Sequence, residues 1–89
     1  MNCPQCEQKV GQDQYHIDGA WNAVRDANGM AIALQRSIHV ACSHCGTFEL
    51  IQDQSNAIIL TRLITDPIEL ATVGSLIPGC IMDRPRIAC

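Results

Sequence analysis

The segment Cys42-Ser43-His44-Cys45-Gly46 lies between two stretches of alternating apolar and polar residues, and it sets the architecture of the chain. Arg36–Ala41 before it and Thr47–Ile51 after it each show the two-residue period of a half-buried strand. Gly46 stands where the chain must turn back, which favours a residue without a Cβ atom. The pattern predicts a β-hairpin whose tip carries two thiols.

A second Cys-x-x-Cys segment, Cys3-Pro4-Gln5-Cys6, occurs near the first residue, 35 residues before the other pair. A tight turn of this kind points two sulfur atoms at one place and directs backbone amides toward the thiolates. Two such pairs suit a tetrahedral zinc site with zinc–sulfur distances of about 2.3 Å. We therefore expect one Zn(II) per chain, bound by Cys3, Cys6, Cys42 and Cys45.

The two pairs resemble those of zinc ribbon (rubredoxin-like) proteins. The resemblance covers both pairs, Gly46 and the flanking strands, roughly half of the chain. It implies a structural four-thiolate zinc held by two knuckles on β-hairpins. Gln8-Lys9 follows the first pair where the family commonly has glycine, so we expect a looser first hairpin. Because zinc ribbons serve transcription, translation, catalysis and protein docking alike, the resemblance implies little about function.

The start of the chain and its cysteine content bear on the cellular compartment. The N-terminus has neither the basic region nor the apolar region of a secretory signal, and no apolar run approaches the ~20 residues of a membrane span. We therefore expect a cytoplasmic protein, in which cysteine pairs bind metal or carry out redox chemistry. The even count of 6 cysteines leaves a disulfide framework as the alternative.

Other uses of these cysteines and histidines stay open at this stage. The four thiolates could bind iron for electron transfer, and His16 or His39 could replace one cysteine ligand. His44 is expected to face solvent. A redox couple needs a thiol near a helix start, and neither pair opens a helix. Since four thiolates leave no open coordination position, we predict that the protein is not an enzyme.

Cys80 and Cys89 lie outside this scheme. The simplest interpretation makes Cys80 a small buried apolar residue and Cys89 an exposed thiol. The alternatives are a disulfide between them or a second metal site with histidine ligands. We assign residues 1–79 to a single zinc-ribbon-like domain and residues 80–89 to a C-terminal tail.

The remaining segments predict an α+β fold, a small antiparallel sheet with one C-terminal helix. The Asn28-Gly29 turn favours a hairpin of Gly19–Arg25 with Met30–Gln35, and a short helix is the alternative. Ala57–Ile64 is predicted to be a buried strand, although a helix is also compatible with it. Asp66-Pro67 begins the clearest helix, because Asp66 can cap it and Pro67 suits its first position. Its apolar residues are Ile68, Leu70, Ala71, Val73, Leu76 and Ile77.

Composition narrows the functional classes. The net charge is −3, and the basic residues are scattered apart from Arg84 and Arg86. Because phosphate binding needs clustered lysine and arginine, nucleic-acid binding is disfavoured. We expect a non-enzymatic protein-interaction module, an adaptor or an inhibitor docking on a larger complex. Phage-encoded inhibitors such as anti-CRISPR proteins have this size. A homodimer is also compatible with the apolar content.

The alternative is a nucleic-acid-binding regulator of transcription or translation. In it, arginines would contact phosphates, and an aromatic ring, Trp21 or Tyr15, would stack on a base. The arginines in question are Arg25, Arg36, Arg84 and Arg86.

Overall fold

A computed structural model describes residues 1–83 and 86–88. These residues form an α+β fold, as predicted, with a five-stranded antiparallel sheet, one α-helix and a separate two-stranded sheet. A 3-10 turn at Gln12–Gln14 precedes the first strand. The elements are β1 (Tyr15–Ile17), β2 (Asn22–Arg25), β3 (Ala31–Cys42), β4 (Gly46–Asp53), β5 (Ile58–Leu63), α1 (Pro67–Leu76), β6 (Ile81–Asp83) and β7 (Arg86–Ala88).

β3 is the central strand of the five-stranded sheet. β4 pairs with it from Gln35 opposite Asp53 to Cys42 opposite Gly46, which confirms the predicted hairpin around the second cysteine pair. β1 and β2 both pair antiparallel with β3, β2 with its first half and β1 with its second half. The two strands predicted at Met30–Gln35 and Arg36–Ala41 are therefore one strand, since no turn residue interrupts them.

The alternation along β3 sends its side chains to two separate cores. Ile38, Val40 and Cys42 face one side of the sheet and Ala41 faces the other. The first core lies against the N-terminal segment and consists of Cys3, Val10, Ile38, Val40, Cys42, Phe48 and Leu50, with Tyr15 and Cys45 packed against it. The second lies under the helix and consists of Ala41, Ile64, Leu70, Val73, Ile77 and Cys80.

The predicted hairpin between residues 19 and 35 is confirmed. The N–H of Asp26 donates to Met30 O, and Gly29 takes a positive φ of 81°. This part of β3 pairs with β2 but precedes the residues that pair with β4, so it forms a two-stranded extension, which we call the arm (residues 21–34). The arm exposes Met30 (68 %) and Ile32 (64 %).

β5 is a strand, as predicted, but the prediction that it is buried is wrong. All six of its residues are exposed. β5 lies at the end of the strand order β1-β3-β4-β5, so among the described elements it has β4 as its only strand neighbour. Apolar composition indicated burial, but the position at the edge of the sheet prevents it.

The helix begins where the sequence predicts. The Asp66 side chain accepts a hydrogen bond from the Ile68 N–H at 3.2 Å, and Pro67 occupies the first turn. The predicted apolar stripe is only partly buried, because Leu70 and Val73 are buried whereas Ile68 is 78 % exposed. No helix in the described ranges is long and apolar enough to cross a membrane.

The segment assigned above to a tail contains two short paired strands, β6 and β7, with Ile81 opposite Ala88. Just before them, the Gly79 N–H donates to Asp13 O at 2.7 Å and joins the end of the helix region to the 3-10 turn. A Cβ atom on Gly79 would lie 2.5 Å from that oxygen, so only glycine fits this approach. Cys80 is buried and disulfide-bonded rather than a free thiol, and Cys89 lies outside the described residues.

Candidate metal centre

The four cysteines predicted to bind metal come together in space. The Sγ atoms of Cys3, Cys6, Cys42 and Cys45 all lie within 4.8 Å of one another, and all four are free thiols. The Sγ atoms of Cys6 and Cys42 are 3.7 Å apart. A tetrahedron with metal–sulfur distances of about 2.3 Å has sulfur–sulfur edges of about 3.8 Å. The four thiols therefore fit one tetrahedral metal ion.

The first knuckle is held by local hydrogen bonds of residues 1–10. The Glu7 N–H donates to Cys3 O at 3.1 Å, and the Cys3 N–H donates to Gln8 O at 2.8 Å. An isolated bridge pairs Asn2 with Lys9. Glu7 has a φ of 62°, a left-handed conformation that a glycine would adopt more readily. Glu7, directly after Cys6, is therefore the strained residue of this turn, whereas the sequence drew attention to Gln8-Lys9.

The second knuckle is the turn between the two longest strands of the sheet. β3 ends at Cys42, β4 begins at Gly46, and these two residues are opposite each other in the ladder. Gly46 has a φ of 110°, which side-chain-bearing residues rarely adopt. The strands on both sides position Cys42 and Cys45, so this half of the site is part of the sheet.

Burial differs between the two cysteines of each knuckle. Cys3 is 1 % exposed and Cys42 is 8 % exposed, and both belong to the first hydrophobic core. Cys6 is exposed, and Cys45 is intermediate. A metal ion here would be shielded by the sheet on one side and would lie near the surface on the other.

Backbone amides near the first knuckle shift the acidity of its thiols. Burial raises the pKa of Cys3, but hydrogen bonds from the backbone of Cys6 and Gln5 and from neighbouring thiols outweigh it and lower this pKa to about 7. The Gln5 N–H lies 3.5 Å from Cys3 Sγ. Cys3 is therefore the thiol that these neighbours help to ionise.

Other thiols of the group resist ionisation. The hydrogen bond with Cys6, together with burial and the neighbouring Cys3 and Cys42, raises the pKa of Cys45 to about 12. The pKa of Cys6 is raised as well, although its hydrogen bond from the backbone of Gln8 opposes the shift. Several thiolates at these distances repel one another, and a divalent cation would remove that obstacle. The donor set thus fits a cation that binds sulfur.

Neither His16 nor His39, the two histidines proposed as alternative ligands, is part of this group of thiols. His44 is exposed, as predicted for the position between two ligands. His16 and His39 are opposite each other on β1 and β3, and the Nε2 atom of His39 lies 3.4 Å from Glu49 Oε2. Within the described residues, the candidate metal group consists of cysteines alone.

An ionic row that the sequence reasoning missed crosses the other face of the sheet. Glu49 on β4 accepts from Arg62 on β5 at 2.9 Å, and Arg62 also contacts Glu69 on α1. The hydrogen bond from Arg62 lowers the pKa of Glu69. The only sequence signal was opposite charge in strands whose register was not known.

Comparisons with known proteins provide no family from which a function could be inferred. Compared with protein-family models, with curated proteins and with solved structures, the chain matches none. The resemblance to zinc ribbons therefore rests on the two knuckles and their geometry.

Proposed function

We propose that this chain is a zinc-stabilised protein-interaction module of the zinc ribbon type, with one Zn(II) bound by Cys3, Cys6, Cys42 and Cys45. The observation that carries the proposal is the convergence of four free thiols within 4.8 Å from two knuckles that are 35 residues apart in sequence. A domain this short buries a modest core and needs a cross-link of this kind.

The role of the metal in this proposal is structural. Four thiolates complete a tetrahedral shell and leave no position for a water molecule or a substrate. Within the described residues, no backbone hydrogen bond links the N-terminal knuckle to the tip of the β3–β4 hairpin. The metal would join these two parts. Holding these parts together keeps Cys3 and Val10 packed against Val40 in the first core.

The arm supports an interaction role. It extends past the strands that surround the thiols, and Met30 and Ile32 at its end are each about two-thirds exposed. Exposed apolar side chains near one another mark binding surfaces more often than isolated ones do. A larger protein, to which the chain would bind as an adaptor or as an inhibitor, is the partner that this surface suits.

The structural surroundings of the arginines favour a protein partner over nucleic acid. The Arg36 guanidinium lies over the Trp21 ring, 4.7 Å from its centroid, and so covers one of the two ring faces on which a base could stack. Arg25 Nη1 donates to Gly29 O at 2.8 Å. Two of the four arginines proposed for phosphate binding thus have partners within the chain, and Arg84 lies outside the described residues.

The metal is tested by native mass spectrometry of protein purified without chelator. One zinc per chain, lost together with the fold on acidification, is the expected result. A visible absorption band together with one iron per chain would show that the bound metal is iron rather than zinc. The disulfide of Cys80 already lowers the mass by two hydrogens. A further loss of two hydrogens for each pair among the four candidate ligands, without metal, would show disulfides there and refute the metal site.

The interaction role is tested by cross-linking the zinc-loaded protein in cells of its source, followed by mass spectrometry. The variant with Met30→Asp and Ile32→Asp should lose the partner that the wild-type chain captures. Ile68→Asp, at a still more exposed site away from the arm, is the control and should retain it. Equal capture by all three chains, or capture that disappears on nuclease treatment, would contradict the proposal.

A further inference from the structure

The outer edge of β5 carries backbone groups that no described strand pairs with. The Ile64 N–H donates to Thr47 O at 2.9 Å, and the register continues with Leu63 opposite Phe48. Successive residues of a strand direct their backbone groups to opposite sides. The backbone N–H and C=O groups of Leu60 and Arg62 therefore point toward β4, whereas those of Thr61 and Leu63 point outward. The edge thus presents donors and acceptors in the pattern that another strand requires.

The side chains of β5 do not protect this edge. Ile58, Ile59, Leu60 and Leu63 are between 45 % and 55 % exposed. Natural edge strands are commonly short or carry lysine, proline or an inward charge that prevents pairing. β5 has six residues, and its only charge is that of Arg62, whose guanidinium is bound to Glu49 and Glu69. Its ladder with β4 is irregular between Ile58 and Leu60, a feature that can protect an edge, but it is regular from Leu60 to Leu63. β5 therefore has the features of an edge strand that pairs with another strand in the assembled protein.

We propose that β5 pairs antiparallel with β5 of a second copy of this chain and joins the two five-stranded sheets into one across a twofold axis. The proposal does not depend on the interaction role of the arm, which lies on strands β2 and β3. It assigns the β5 edge to a symmetric dimer and leaves the arm of each copy free.

The sequence of β5 is complementary to itself in one register. With Thr61 on the twofold axis, each Thr61 faces its counterpart, which is a favourable cross-strand pair. Leu60 then lies opposite the aliphatic part of Arg62 within the regular part of β5. Leu63 comes next to Ile59, at the irregularity of the strand. An axis at Arg62 would place two guanidinium groups opposite each other, and an axis at Leu60 would place Leu63 opposite Ala57, which lies outside β5.

The exposed aliphatic side chains of β5 lie beside another exposed apolar residue at the start of α1. The contact between Arg62 and Glu69 brings the first turn of α1 beside β5, and Ile68 in that turn is 78 % exposed. Ile68 would therefore extend an interface formed by the aliphatic side chains of β5 beyond the paired backbones.

Sedimentation equilibrium of the zinc-loaded protein over a range of concentrations tests the dimer. The wild-type chain should be dimeric, and Leu60→Lys should raise the dimer Kd by more than about tenfold, because it places charge on the paired edge. Ile32→Lys, the same change at a similarly exposed site on the arm, should leave the Kd unchanged. Circular dichroism and zinc content should be equal in all three proteins, so that a change in Kd is not a folding defect.

A cysteine substitution tests the register. Directly opposite residues in such a ladder have Cα atoms about 5.5 Å apart, which is compatible with a disulfide. Thr61→Cys in the zinc-loaded protein should therefore give a covalent dimer on mild oxidation. The two copies of residue 60 would be about 8 Å apart, given the strand spacing and rise, so Leu60→Cys should not cross-link efficiently.

Three outcomes would overturn the proposal. The first is a wild-type chain that stays monomeric at the highest concentration. The second is a dimer that Leu60→Lys leaves intact, which would place the interface elsewhere. The third is cross-linking of Leu60→Cys in preference to Thr61→Cys, which would refute the twofold axis at Thr61. None of these outcomes bears on the zinc content, so they leave the metal site to its own test.

Discussion

The two knuckles supply the same pair of thiols, but the chain supports them differently. Cys42 and Cys45 lie between β3 and β4, whose ladder runs from Gln35 opposite Asp53 to the knuckle itself. Cys3 and Cys6 lie in a segment whose described backbone pairing is a single bridge and a few local hydrogen bonds. The residue after the second knuckle is a glycine at φ 110°, and after the first it is a glutamate at φ 62°.

This difference suggests that the second knuckle is formed by the sheet and that the first depends on the metal. A long antiparallel hairpin positions its turn residues without help, because its register is set by many cross-strand contacts. A short looped segment must be ordered when the metal binds, and part of the binding free energy compensates for that ordering. The following predictions test this asymmetry.

The largest effect is expected from removing a ligand. Cys6→Ser should lower zinc affinity about 100-fold, since structural zinc sites gain roughly 10–16 kcal/mol from four ligands, or about 3 kcal/mol for each. Competition with a chelating dye measures this. Gln5→Ala, an exposed change in the same turn, is the control and should bind zinc normally.

The same variant should show which knuckle the metal orders. In hydrogen exchange, the amides of Cys3 and Val10 should lose protection, whereas those of Val40 and Leu50 in the β3–β4 ladder should keep most of theirs. Loss of protection throughout the sheet would mean that the metal organises the whole chain, and the asymmetry would be wrong.

A smaller effect is expected from changing the turn of the second knuckle. Gly46→Ala should destabilise the protein by about 1–3 kcal/mol, because a side chain is strained at this φ. The added Cβ would lie 3.5 Å from Leu63 Cδ1, an ordinary contact, so the cost comes from the backbone. Gly19→Ala, at an open site without positive φ, should be nearly neutral. Urea unfolding of the zinc-loaded proteins compares them.

The pH dependence of zinc binding should reveal the unequal acidity of the knuckles. Thiols must lose their protons to bind zinc, so the affinity rises with pH. Cys3, with a pKa of about 7, is protonated in the metal-free protein below that pH and ionised above it, whereas Cys45, with a pKa of about 12, is protonated on both sides.

Zinc binding should therefore release about one proton more at roughly pH 6 than at roughly pH 8. Calorimetry in buffers of different ionisation enthalpy measures this number. An unchanged proton count across that range would show that the amides of Gln5 and Cys6 do not stabilise the Cys3 thiolate.

The smallest effect is expected at the strained residue of the first knuckle. Glu7→Gly should stabilise the zinc-loaded protein by about 0.5–1 kcal/mol, because relief of the left-handed conformation exceeds the entropy that glycine loses on folding. Glu7→Ala keeps the strain and should give no such gain. Equal effects of both changes in urea unfolding would indicate that the carboxylate matters rather than the backbone.

Much of the site and part of the fold were predictable from local pattern. The spacing of the four cysteines, the alternation on both sides of the second pair and the Asp66-Pro67 helix start each depend on neighbouring residues. The Asn28-Gly29 turn favoured the hairpin that forms the arm, but the helical alternative could not be rejected without knowing that β3 offers a pairing edge.

The exposure of β5 could not have been predicted in the same way. Ile58–Leu63 is as apolar as a buried strand, and composition does not say which strand lies at the edge of the sheet. For the same reason, the stripe on α1 overstated burial at Ile68, which is exposed whereas Leu70 and Val73 are buried.

The amino-acid sequence by itself determined the two cysteine pairs that form the candidate metal site, the β3–β4 hairpin and the start of the helix, because these follow from residue types at short, fixed separations. The tertiary structure alone decided how the chain is arranged around them. It placed two cores on opposite faces of β3, set Glu49 beside Arg62, gave Glu7 its strained backbone and left β5 at the edge. These features depend on which distant segments pair, and pairing depends on the free energy of the whole fold rather than on local pattern.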